Sequence, residues 1–187
     1  MKKNYFFKSL IILIVLTTIS CKTDNKTEKT NLFSDLTNNY SILYAISKSS
    51  KPERFQKRSK SVQNTKFSTE LIKFYIISWS SKPERFINRI EKGKSFGFNS
   101  TINNFFAASP SSSPERFQKR LNEAKGIGME KELCKFYALS PSSKPERFQK
   151  RMNDAKIKGL DRKKQIYYAI SANSNVERFV NRINEYK

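Results

Sequence analysis

The chain has no histidine among its 187 residues. That removes the usual acid/base group at neutral pH and the commonest zinc ligand together. Cysteine is nearly absent too, with Cys21 and Cys134 alone. If Cys21 is used elsewhere, no intramolecular disulfide is available and the fold rests on packing. Cys134 also has no histidine to activate it as a nucleophile. Acids are scarce, 16 Asp and Glu against 37 Lys and Arg for a net charge of +21. An excess of that size favours polyanions or anionic membrane surfaces as partners and says nothing about fold. No paired carboxylates, nucleophile or metal cluster recurs at a useful spacing, so the expectation is a protein that is not an enzyme and carries no cofactor and no metal. Long apolar runs are missing apart from Leu10 to Leu16, and no stretch alternates with the period of a strand.

What is present in abundance is repetition. The words around Ser81-Lys82-Pro83-Glu84-Arg85-Phe86 recur five times, with Pro52, Pro83, Pro114, Pro145 and finally Val176 in one column, each 31 residues from the last. Strict register without insertion implies one supersecondary unit stacked repeatedly. The copies fall at about 35-65, 66-96, 97-127, 128-158 and 159-187, together a repeat domain over 35-187.

The N-terminus reads as an address. Lys2, Lys3 and Lys8 precede the apolar run, and Thr17-Thr18-Ile19-Ser20-Cys21 follows it, the pattern of a secretory signal over 1-20. A cysteine after a small residue at the end of such a run resembles the lipobox of bacterial lipoproteins, with Thr18 where Leu is usual. The resemblance implies cleavage before Cys21, its acylation, and a protein carried across the inner membrane and held by a lipid anchor, with Lys22 after the cysteine implying the outer membrane or cell surface. An uncleaved anchor or an ordinary cleaved signal is the other reading. Residues 21-34 are polar and aperiodic, like a flexible tether.

Within each copy the columns define two helices. Thr37, Ser68, Asn99, Glu130 and Asp161 stand where the first helix should begin, four of them good N-caps. Apolar positions follow at helical offsets, including Leu43, Phe74, Phe105, Phe136 and Tyr167 with Tyr44, Tyr75, Phe106, Tyr137 and Tyr168 beside them. The helix should end near Ser47, Ser78, Ser109, Ser140 and Ser171, serine in every copy. Ser50-x-x-Glu53 and its four counterparts, headed by Ser81, Ser112, Ser143 and Ser174, read as capping boxes opening a second helix, with proline in the first turn. Its core stripe is Phe55, Phe86, Phe117, Phe148 and Phe179, backed by Ile90, Leu121, Met152 and Ile183. Ser59 interrupts that stripe in the first copy and predicts a looser first hairpin. Gly97, Gly128 and Gly159 mark the return to the next copy. Cys134 shares its column with Ser41, Ile72, Asn103 and Gln165, which argues against deep core.

Such units are too short to stand alone in water. The expectation is an all-α fold, a short right-handed α-solenoid of five helical hairpins, tetratricopeptide-like by architectural analogy only. Its terminal units should fray first, given Ser59 in the first copy and Lys164 and Val176 in the last.

Two columns are arginine in all five copies: Arg54, Arg85, Arg116, Arg147 and Arg178, and four residues on, Arg58, Arg89, Arg120, Arg151 and Arg182. At about 100° per residue the second column lies at the edge of the apolar stripe and the first further out. All ten are candidates for an anion-binding face. The competing reading is structural, with guanidiniums bonding helix-end carbonyls or the Ser47 column of the next unit, or stacking on the Tyr75 column. The expected partner is an anionic polymer, a membrane surface or an acidic protein. Nucleic acid is chemically allowed but disfavoured by a secreted address. An adaptor role, with the arginines holding the stack together, is the alternative. Trp79, in the link of the second copy, is a candidate exposed contact.

Overall fold

The computed structural model describes residues 39–63 and 65–186. The signal segment, Cys21, the tether, Leu36 and Thr37 lie outside the described residues. The described chain is all-α, ten helices with no strand. In order they are α1 (Tyr40–Ile46), α2 (Pro52–Lys60), α3 (Thr69–Ile77), α4 (Pro83–Ser95), α5 (Ser100–Ala108), α6 (Pro114–Gly126), α7 (Lys131–Leu139), α8 (Pro145–Ile157), α9 (Arg162–Ile170) and α10 (Val176–Glu185). None among the described residues is long and apolar enough to cross a membrane.

The odd-numbered helices begin where short polar side chains accept a free amide. Ser68 takes Leu71 N, Asn99 takes Ile102 N and Asp161 takes Lys164 N. In the first copy the cap is Asn39, two residues past the Thr37 position, and Glu130 makes no side-chain cap bond. All five end on the invariant serine, in extended backbone at ψ 160–164. At Ser47, Ser109, Ser140 and Ser171 the hydroxyl donates back to the carbonyl three residues earlier. In every copy the serine oxygen also accepts an amide two residues on, so one side chain closes the helix and turns the chain.

The even-numbered helices differ from the expected capping box. Their N-caps are Lys51, Lys82, Ser113, Lys144 and Asn175, one residue after the serines assigned that role, and the three lysines make no side-chain cap. Proline at the first helical position needs no acceptor for an amide it lacks. The displaced serines Ser50, Ser112 and Ser143 instead accept from Arg54, Arg116 and Arg147 at 3.3 Å.

Glycine ends α4, α6 and α8. Gly97, Gly128 and Gly159 have φ of 93°, 73° and 77°, and their amides bond back to Lys94, Lys125 and Lys156 while the next residue's amide reaches Gly93, Ala124 and Ala155. That paired pattern is the Schellman motif. Lys66 stands in this column in the first copy, no described non-glycine residue has positive φ, and α2 is 9 residues long against 13 for α4, α6 and α8.

The tightly packed pair is not the two helices of one copy. Each even helix packs on the odd helix of the next copy, α4 on α5, α6 on α7 and α8 on α9. The odd helices also pack on one another in sequence, α1 on α3 through to α9, and then α9 on α1. The stack is therefore closed, because α10 packs on α1 just as α8 packs on α9. Tyr44 Oη donates to Glu185 at 3.2 Å, Asn173 Nδ2 donates to Ala45 O at 2.7 Å, and the Tyr186 ring stacks on Tyr44 with centroids 5.5 Å apart. The expectation of two free terminal units does not match this packing. Copies one and five are each other's neighbours, and Val176, expected to weaken an end, is 6% exposed.

Two aromatic layers fill the core. Phe55, Phe86, Phe117, Phe148 and Phe179 are fully buried against Tyr44, Tyr75, Phe106, Tyr137 and Tyr168, at 5.6–6.1 Å edge-on or tilted. Further in, Phe74 meets Phe105 at 5.2 Å and Phe105 meets Phe136 at 5.3 Å, with Leu43 and Tyr167 buried in the same column. Three members of the Cys134 column lie in this core, contrary to expectation: Cys134 and Asn103 are both 2% exposed and Gln165 is buried, while Ser41 and Ile72 are half-buried. Polar residues survive there by bonding the carbonyls opposite, Asn103 Nδ2 to Ile90 O and Gln165 Nε2 to Leu160 O. Asn103 fits because Gly93 faces it, and a Cβ at Gly93 would fall on the Asn103 amide oxygen. The next two copies place Ala124 and Ala155 in the glycine's column.

Candidate functional site

The two arginine columns lie one turn apart on the even helices, and the structure separates them. The inner column, half-buried, turns into the junction with the following copy. Arg120 Nη2 donates to Tyr137 O at 2.7 Å, Ser140 O at 2.9 Å and Ser142 O at 2.8 Å. Arg58 does the same to Tyr75, Ser78 and Ser80, Arg89 to Phe106, Ser109 and Ser111, and Arg151 to Tyr168, Ser171 and Asn173. Arg182 performs it across the closure, donating to Tyr44, Ser47 and Ser49. These carbonyls belong to the last turn of the odd helix and the link after it; the first of each set also accepts the amide of the closing serine, and the third lies two residues past that serine. One guanidinium per junction gathers them and lies over the aromatic ring of the same helix at 4.3–4.6 Å. The planar guanidinium donates to these carbonyls while its face lies on the ring, a combination that a lysine ammonium does not offer. Burial lowers the pKa of all five, Arg89 to about 10, which leaves it charged at neutral pH.

The outer column is exposed in every copy. Arg54, Arg85, Arg116, Arg147 and Arg178 make no ion pair among the described residues; Arg54, Arg116 and Arg147 contact only the neighbouring serine hydroxyls, at 3.3 Å. Glu177, next to Arg178, pairs with Lys158 instead, at 2.8 Å. All five lie in the first turn of an even helix, on the edge of the ring formed by the serine-rich links, where unbonded amides add positive potential.

At four junctions the outer arginine lines a shallow cleft between its own helix and the links. These clefts measure about 420, 440, 380 and 500 Å³ and contain Arg54, Arg85, Arg116 and Arg178 respectively. Trp79 sits in the wall of the second, half-buried, with the Lys48 ammonium 3.5 Å from its ring centroid.

One column was missed at the sequence level. Glu123, Asp154 and Glu185 share a register 31 residues apart, continued backward by Lys92 and Ser61. Two of these acids accept from the tyrosine of the following copy, Tyr137 to Glu123 at 3.1 Å and Tyr44 to Glu185. Where the ring opposite is Phe106, which has no hydroxyl, Lys92 replaces the acid. Ser61 precedes Tyr75 without an acid, so the register of the three acids was the available signal.

Cys134 is buried, and burial raises its thiol pKa. No group of three or more metal-ligating side chains occurs among the described residues. No family model, curated protein or solved structure matches the chain.

Proposed function

We propose that this chain is a lipid-anchored binding protein of the bacterial envelope, a closed tandem array of 31-residue helical units whose basic edge holds an anionic polymer, a headgroup or an acidic protein. One observation carries the binding half of this reading. The outer arginines have no acidic partner among the described residues, whereas the inner arginines are consumed by carbonyls. A solvated face built only for solubility does not need arginine in every copy, since lysine would serve. The anchoring half rests on Cys21 after the apolar run.

The test replaces Arg85, Arg116 and Arg147 together with glutamine. Binding to an acidic polysaccharide should weaken and its salt dependence flatten, because fewer counterions are displaced. Folding stability should fall by no more than about 0.5 kcal/mol per residue. Cys21→Ser should release the protein from the membrane fraction or leave it unprocessed. The adaptor reading draws on the inner arginines, which tie each unit to the next. It takes over if the triple substitution leaves polyanion binding and its salt slope unchanged.

A further inference from the structure

The clefts are built alike but charged differently. The residue one turn beyond the inner arginine's edge is Ser61, Lys92, Glu123, Asp154 and Glu185 in successive copies. The cleft holding Arg116 therefore contains Glu123, and the cleft holding Arg178 contains Glu177 and Glu185. No acidic residue lines the clefts holding Arg54 and Arg85. The first gathers Lys48, Arg54 and Lys57 beside Arg58, and the second gathers Arg85 and Lys92 beside Arg89.

These two clefts are adjacent, and Trp79 stands between them. Its indole lines the second, while Lys48, over its ring, lines the first. Elsewhere in the ring this link position holds Lys48, Pro110, Pro141 and Ala172, so only here is an indole offered. Its backbone amide is pinned to Ala108 O at 3.1 Å, which fixes the side chain's origin. Asn88 takes the place of the lysine found at 57, 119 and 150, as Asn181 does in the fifth copy, adding a neutral amide that both donates and accepts. A guanidinium fork, an aromatic plate and an amide together suit a ring that carries a carboxylate and hydroxyls. A phosphate chain uses only the first of these.

Resting on the polyanion reading above, we infer that the two acid-free clefts form one subsite for an acidic saccharide. The indole of Trp79 stacks on a sugar face, Arg54 and Arg85 hold successive carboxylates, and Asn88 bonds ring hydroxyls. The remaining clefts, which carry their own carboxylates, contribute general attraction only.

Trp79 is the single tryptophan, so its fluorescence reports this place alone. The intact protein is titrated with oligogalacturonate, with dextran as neutral control and inorganic polyphosphate and a single-stranded oligonucleotide as ringless and base-bearing anions. A saturable change with oligogalacturonate, none with dextran and about tenfold weaker binding of the other two anions is expected. Trp79→Ala, which takes the residue natural at Ala172, should weaken oligogalacturonate about tenfold by calorimetry. Lys92→Glu, which copies Glu123 into the second cleft, should do the same, while Lys131→Glu on the opposite edge of the ring should have a much smaller effect. Oligogalacturonate binding that leaves the fluorescence and the Trp79→Ala affinity unchanged overturns the subsite while the basic face stands. Polyphosphate or oligonucleotide binding as tight as oligogalacturonate overturns saccharide recognition. Failure of every polyanion to bind overturns both.

Discussion

Arg116 and Arg120 are one helical turn apart on α6 and chemically identical, yet they live in different solvents. Arg120 has exchanged water for three carbonyls and an aromatic face, and Arg116 has kept water and touches a serine at 3.3 Å. The difference follows from angle. The inner position lies over the edge of the apolar stripe, where the next unit covers it, and the outer position lies beyond that edge. An invariant residue in a repeat can thus be held by the fold in one column and left free by it in the next.

The strongest way to break that contrast is to truncate one inner arginine. Arg120→Gln should cost about 3 kcal/mol or more in urea unfolding, since three buried carbonyls lose a charged donor. Arg182→Gln should cost as much as Arg120→Gln, because the closing junction repeats the same bonds. A cost near zero at Arg182 alone would mean that copies one and five are not joined in solution.

Next in size is the packing inside a junction. Gly93→Ala should destabilise by about 1–3 kcal/mol, as Asn103 is pushed aside. Adding Asn103→Cys recreates the Ala124 and Cys134 pair of the following copy and should recover most of the loss in a double-mutant cycle.

A smaller effect should appear with alkali. Burial pushes Tyr137 up to about 12 from 10.0, with Glu123 adding to the rise and Arg120 opposing it. The folded state then holds this proton more tightly than the unfolded chain. Its contribution to stability is complete below about pH 10 and is lost as pH rises through about 12. Tyr137→Phe, which imitates Phe106, should make the alkaline fall in unfolding midpoint shallower. The smallest change belongs to the outer column: Arg116→Gln should leave stability within about 0.5 kcal/mol.

Much of this was legible before any coordinates. The 31-residue register, helical offsets and turn glycines were enough for ten helices and for the serine at each odd helix's end. Column angle also separated the two arginine positions. What escaped depended on particular hydrogen bonds that a column's polarity does not reveal. Polarity in the Cys134 column looked like exposure, because side-chain type alone does not show that Asn103 and Gln165 have Ile90 O and Leu160 O to donate to. The serine of the expected capping box proved to be one residue early: the cap is the residue directly before the proline column, and at Ser113 and Asn175 its side chain takes the amide three residues on. Closure was hinted at only indirectly. The last copy retains Phe179 and Arg182, apolar and clasping groups that the end of an open stack would have to cover with polar surface.

Closure also fixes a number. In an open array a unit gained or lost by unequal recombination changes only the length, and each surviving neighbour pair is untouched. Here each unit turns the chain by one fifth of a circle, so a sixth copy would have to flatten every junction and a fourth would have to sharpen them all. The side chains of Leu43, Phe74, Phe105, Phe136 and Tyr167, all buried within, would then no longer match the space they fill. Genes of this kind should drift freely in the words of each copy and remain rigid in their count.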